Sequence, residues 1–310
     1  MTLESDTPRS AQPNPLADID FAELERSLRR PRTLVDFLLT VSVTAMTVLS
    51  LLPLFSVVIM LAWRGGQRLS VAVFTQLPPT SLEQGGGFGN AIVGTIIIVA
   101  LAVIASVPIG LLTAIYLAQS HESRVATAAR FCAKVLTGFP SILAGVFAYG
   151  AVVMMTGGFS AFAGAVALSI LMLPTIILTS EDAIRMVPAR MRDAAIGMGA
   201  TRTQVVWMVL LSTAMPGILT GIMLAVARAA GETAPLLFTA LFSNYWLWSR
   251  GQMNLKQPTA SLAVLIYNFA SQPFQNQVEL AWAAALVLVL LVLAANLIGQ
   301  SMSANRLQHS

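Results

Sequence analysis

Arg228 and Glu232 stand four residues apart in the run Arg228-Ala-Ala-Gly-Glu-Thr-Ala-Pro235, within a stretch from Thr213 to Phe242 that otherwise reads as one long apolar helix. That spacing puts both charges on one helical face. A charged side chain at the centre of a spanning helix costs roughly 2.5–3.5 kcal/mol on insertion scales, so such residues face a cavity, a partner or a pathway. The alternative is a span that ends near Ala227, with the pair snorkelling at the outer interface. Length argues against it, because about 20 apolar residues cross a bilayer and the apolar run resumes from Leu236 to Phe242 after the charges.

The elements that must position this pair follow from composition. Of 310 residues, 56% are apolar and 10% charged, against about 25% charged in soluble domains. This is the composition of an integral membrane protein. One cysteine, Cys132, excludes an internal disulfide framework, and two histidines, His121 and His309, offer no metal centre. The net charge of +4 is explained by its placement and calls for no nucleic acid. Six charge-poor stretches are long enough to cross: about 37–63, 91–118, 135–156, 161–180, 213–242 and 280–298.

Arg9, Arg26, Arg29, Arg30 and Arg32 precede the first span and place the N-terminus in the cytoplasm. Alternation then puts Arg124, Arg130, Lys134, Arg185, Arg190, Arg192, Arg202 and Arg306 inside, with both termini cytoplasmic. Trp63, Trp207, Trp246, Trp248 and Trp282 fall at or just beyond span ends, as an aromatic belt requires. The first span is too long for a signal-peptide core and is expected to be a retained anchor.

The expected organisation is a polar cytoplasmic tail over 1–33, a transmembrane domain over 34–302 and a short tail over 303–310. Within the first tail, Ile19 to Leu28 reads either as a short amphipathic helix or as a loosely ordered arm. Gly85-Gly-Gly-Phe-Gly-Asn90 has turn chemistry, but neither lysine follows a glycine, so no P-loop exists and nucleotide chemistry belongs to another chain. Gly217 and Gly221 fit small-xxx-small helix packing.

Between the fourth and fifth spans, residues 181–212 are too long for a tight turn and too amphipathic for a linker. Met191, Ala194, Ala195 and Met198 align on one helical face with small or soft side chains. Docking into a cleft on another protein and lying on lipid headgroups both fit that face.

The same segment resembles the signature of binding-protein-dependent ABC transporter permeases: Asp193-Ala194-Ala195, then Gly199, then Val209-Leu210-Leu211-Ser212. The acid is shortened to Asp and the terminal Pro is replaced by Ser212. The resemblance implies a coupling helix in which Asp193, Ala194, Ala195 and Gly199 meet an ATPase subunit. More narrowly, Gly85 to Thr95, Gly138-Phe-Pro-Ser141 and Arg228 to Ala240 are similar to segments of the A-type permeases of phosphate-specific transport systems. That similarity runs from about residue 35 to the end.

It implies an all-α, polytopic protein of the six-helix MetI-like importer permease fold, multi-pass in the inner (plasma) membrane. It is not an enzyme and binds no cofactor itself; ATP and Mg belong to the ATPase. The implied partners are a homologous C-type permease, two ATPase subunits, an extracytoplasmic phosphate-binding protein and lipid. The implied cargo is inorganic phosphate, a hydrated anion that a guanidinium fork matches. Arg228 is the candidate contact, with Glu232 neutralising it between transport events. Thr233, Thr239 and Thr175 are further hydroxyl donors.

Three alternatives stay open: a structural role for the ion pair, a permease of the same architecture for molybdate or sulfate, and a self-contained secondary transporter. The last expects internal repeats, of which the sequence has no convincing pair.

Overall fold

The computed structural model describes residues 31–120, 123–249 and 252–307. Most of the tail at 1–33, the helix read at Ile19 to Leu28, and His121, Arg250 and His309 lie outside the described residues, as do the side chains of Arg32 and Arg306.

The described chain is almost wholly helical: α1 (Pro31–Gln67), α2 (Val71–Thr75), α3 (Gly89–Gln119), α4 (Arg124–Thr137), α5 (Ser141–Ala148), α6 (Met154–Thr156), α7 (Ala161–Arg185), α8 (Ala189–Gly197), α9 (Arg202–Gln204), α10 (Leu211–Gly231), α11 (Ala234–Leu237), α12 (Leu262–Ala270) and α13 (Gln275–Leu307). Wide π-type turns at Tyr149–Val153 and Val205–Leu210 join α5 to α6 and α9 to α10. A two-rung antiparallel ribbon, β1 (Trp248–Ser249) with β2 (Gln252–Met253), is the one sheet among the described residues.

The chain divides within α1 into one unit ending at Val58 and a second from Ile59 onward. In the first, the mostly apolar side chains from Leu34 to Val58 are exposed, a surface suited to lipid. In the second, α7 is the centre. Its Leu168, Met172 and Ile176 pack with Ile98 and Ala102 of α3 and with Ile218 and Ala225 of α10. Lipid tails are as apolar as leucine, so close packing rather than transfer from water must hold such helices together. Gly217 and Gly221 supply it: a Cβ there would meet Ala183 Cβ at 2.8 Å and Thr179 Oγ1 at 2.1 Å. The small-xxx-small pair is thus the α10–α7 contact. A second core joins Phe88, Leu262, Leu265, Phe269, Leu280 and Ala284.

Five helical stretches are long and apolar enough to span, one of them being α9, its π-type turn and α10 taken together. The sequence expectation fails at two places. The straight span at 135–156 is a bent pair, Arg124–Thr137 and Ser141–Thr156, with 108° between the arms. Gly138 caps the first arm, and Pro140 disfavours helical backbone at Phe139. The single helix from Thr213 to Phe242 also breaks, because α10 stops at Gly231 and Pro235 sits in the first turn of α11, where its missing N–H costs nothing.

Candidate functional site

Arg228 lies in the last turn of α10, and Glu232 is the residue that ends the helix, with extended backbone. Nε of Arg228 is 3.3 Å from Oε1 of Glu232, with the arginine side chain 46% exposed and the glutamate 17%. The pair is therefore a single long contact, open on the cationic side. A cation at a helix C-terminus also complements the macrodipole.

A helix broken at membrane depth is tolerated only where its backbone is satisfied by protein or lines a cavity. Here much of the backbone after the break is paired within the protein. Leu236 and Leu237 donate to the Thr233 carbonyl, and Ala240 and Leu241 to that of Leu236. The Thr239 carbonyl accepts from Ser160 N–H and that of Ala240 from Thr259 N–H. Leu241 adopts φ +61° to close the turn, strained backbone for a residue with a branched side chain. The break is thus a built element, packed on α5. A Cβ on Gly145 of α5 would stand 2.7 Å from the Pro235 Cα, so only glycine allows this approach.

Of the candidate hydroxyls, Thr239 is buried and donates to the Pro235 carbonyl at 2.7 Å, which leaves it no proton for a ligand. Thr233 is half-buried beside Glu232 and makes no capping bond from its side chain. Thr175 sits half-buried on α7.

Asp193, Ala194, Ala195 and Gly199 fall on and just after α8. Asp193 and Ala194 are exposed, and Ala195 is 5% exposed and joins the main core. The face expected to carry Met191, Ala194, Ala195 and Met198 together is thus divided, because Ala195 points inward while Met191 and Met198 are exposed. Gly199 has φ +88°, left-handed backbone that favours glycine. It turns the chain into Thr201, which forms a reciprocal capping box with Gln204 before the π-type turn.

The sequence reading missed the strongest charge cluster. Glu181, 2% exposed near the end of α7, accepts from Arg130 Nε at 3.0 Å and Nη2 at 2.8 Å, and pairs with Arg185 one turn on. Arg130 Nη2 also donates to the Leu117 carbonyl of α3 at 3.3 Å. The available signal was the i,i+4 spacing of Glu181 and Arg185 at a span end. In the sequence, Arg130 reads only as a topological marker.

Between α2 and α3, Thr80 N–H donates to Glu83 at 2.8 Å. This backbone bond, with the Thr80 hydroxyl adding to it, holds the exposed Glu83 carboxyl below its ordinary pKa. Among the described residues no group of three or more His, Cys, Asp or Glu is placed to hold a metal.

Residues 106–305 match the family described as "Binding-protein-dependent transport system inner membrane component". The chain is 41% identical over 236 residues, 76% of its length and 80% of the relative's, to the "Phosphate transport system permease protein PstA" of Xylella fastidiosa (strain Temecula1). It is 35% identical over 265 residues, 85% and 92% of the two lengths, to the "Probable phosphate transport system permease protein PstA" of Methanocaldococcus jannaschii. Among solved structures, a chain of the MetNI methionine ABC transporter in an inward-facing conformation aligns with TM-score 0.53 at 19% identity, over 70% of this chain and 93% of that one. A chain of a bacterial alginate ABC transporter, in complex with an alginate-bound periplasmic protein, aligns with TM-score 0.61 at 15% identity, over 90% and 97%. At these identities the likeness is one of fold.

Proposed function

The chain belongs to the PstA family of phosphate transport system permeases, and from that premise we propose that Arg228 and Glu232 contact the transported anion. The protein is the membrane permease subunit of an ATP-driven importer of inorganic phosphate; it breaks no covalent bond, and ATP hydrolysis is carried out by a separate subunit. Both termini and α8 face the cytoplasm, and a homologous C-type permease supplies the other half of the pathway. Two ATPase subunits and an extracytoplasmic phosphate-binding protein complete the complex.

The observation that carries the reading is the Arg228–Glu232 pair itself: one 3.3 Å contact, half open, at the end of a helix broken beside it. Phosphate at neutral pH is a hydrated mono- or dianion, and leaving water requires donors of matching geometry. A guanidinium presents a planar fork to two phosphate oxygens. An unpaired buried cation would be costly and would hold the anion too long, and Glu232 replaces phosphate as the counter-charge after release. The Thr233 hydroxyl stands one residue beyond as a neutral donor. Asp193, Ala194 and Gly199 form the ATPase contact, with Ala195 anchoring α8 from within. ATP binding need only favour the outward-open arrangement over the inward-open one for transport to follow.

The test is radiolabelled phosphate uptake into proteoliposomes holding this chain with its permease partner, ATPase and binding protein. The reading requires uptake that depends on ATP and persists in excess sulfate and molybdate. Uptake without the ATPase would identify a secondary carrier, and preference for a competitor would change the substrate.

A further inference from the structure

We propose that Arg130, Glu181 and Arg185 act as a coupling clasp, positioning residues that carry a shift of α8 to the helix arm packed beside Glu232. The inference rests on the permease reading above and adds how the two ends of the subunit communicate.

Glu181 and Arg185 occupy the last turns of α7, and only Met186, Val187 and Pro188 separate that helix from α8. The linker is stiff: Met186 N–H donates to the Asp182 carbonyl, Val187 to Ile184 and Met191 to Pro188, and Val187 is buried. Ala195 seats α8 in the same core as Ile184 and Val187. A push on α8 therefore reaches Glu181 through bonded and packed groups.

From Glu181 the connection leaves the helix. Two guanidinium nitrogens of Arg130 bind its Oε1, 51 residues away in sequence, and Nη2 also holds the end of α3 through the Leu117 carbonyl. Arg130 lies on the first arm of the bent pair. The second arm begins past Pro140 and carries Gly145, whose backbone meets Pro235 too closely for any side chain between them. Pro235 is three residues beyond Glu232. The chain of contacts thus runs from α8 through α7 and the clasp to α4, around the bend to α5, and onto the segment that follows Glu232.

Electrostatics suits this task. Glu181 is nearly inaccessible, with its side chain 3% exposed, and its two partners are 20% and 34% exposed, so water and salt weaken the contact far less than a surface pair. A fork bound through two nitrogens resists rotation as well as separation. Demonstrating such a route requires a change in coupling, not only a loss of contact.

The experiment measures phosphate imported and ATP hydrolysed in the same proteoliposomes, for wild type, Arg130→Gln and Arg130→Lys, alongside complex recovery and melting temperature. In Arg130→Gln the ATP consumed per phosphate rises about fivefold or more while binding-protein-stimulated hydrolysis continues. Arg130→Lys keeps the charge without the fork, assembles normally, and raises the ratio about twofold. An unchanged ratio in assembled Arg130→Gln would reduce the clasp to a structural ion pair. If Arg130→Gln fails to assemble, the lysine variant decides, and a wild-type ratio in it overturns the proposal. A wild-type complex that prefers another oxyanion defeats the phosphate reading alone, since the ratio can then be measured with that anion.

Discussion

Two charged clusters built from the same residue types behave oppositely in this chain. Glu181 is sealed by two arginines and held through three nitrogens, whereas Glu232 meets Arg228 through one contact of 3.3 Å on a half-open face. A carboxylate that no anion can displace and one that an anion can displace are different tools. Under the two proposals above, the first would transmit force between helices and the second would exchange partners with the substrate. Burial of the carboxylate and the number of donors upon it, not the presence of an ion pair, distinguish them.

The largest effect comes from emptying the sealed cluster. Glu181→Gln leaves Arg130 and Arg185 facing each other without a counter-charge, at a cost of about 3 kcal/mol, and recovery of the assembled complex should fall steeply, read by co-purification of the ATPase. Glu232→Gln should do nothing of the kind. That complex assembles, and phosphate is held longer by an arginine that nothing reclaims, so KM and kcat fall together by several-fold. Equal loss of assembly in both variants would erase the distinction.

Asp193→Lys separates the coupling surface from both clusters. Reversing an exposed charge leaves the helices packed but weakens ATPase association, expected at about tenfold in a binding titration. Gly199→Ala is milder, because a left-handed backbone position costs a side chain about 1 kcal/mol. A fall in melting temperature of a few degrees, with a smaller loss of ATPase association than in Asp193→Lys, is the expected outcome.

The smallest effect concerns the turn at Thr80–Glu83. Its carboxyl has a lowered pKa in the folded chain, so its contribution is fully present above the ordinary carboxylate pKa and fades as pH falls through the lowered value. Hydrogen exchange at the Thr80 amide should quicken only in acid and become insensitive to pH in Glu83→Gln, once intrinsic exchange is divided out.

Much of this arrangement is legible locally. Long apolar runs marked α1, α3, α7 and α13, and Arg228 and Glu232 declare themselves because charge in such a run is rare. The spacing from Asp193 to Gly199 marks α8 through its likeness to the permease signature, and the left-handed backbone at Gly199 is seen only in the structure. The bend at Gly138–Pro140 and the stop at Gly231 were present as turn residues, but hydropathy windows average over such short interruptions. The helix α12, only nine residues long, falls below any spanning length. Arg130 and Glu181 were invisible as a pair because nothing local joins residues 51 apart. The inward turn of Ala195 likewise depends on where α7 and α10 pack.

The central claim is that the open pair, not the sealed one, meets the anion. It is tested most directly by initial phosphate uptake in ATP-loaded proteoliposomes bearing Arg228→Gln, with assembly and ATP hydrolysis measured on the same sample. The account predicts a complex recovered like wild type, with uptake reduced about 100-fold or more. Normal uptake in that variant would contradict it.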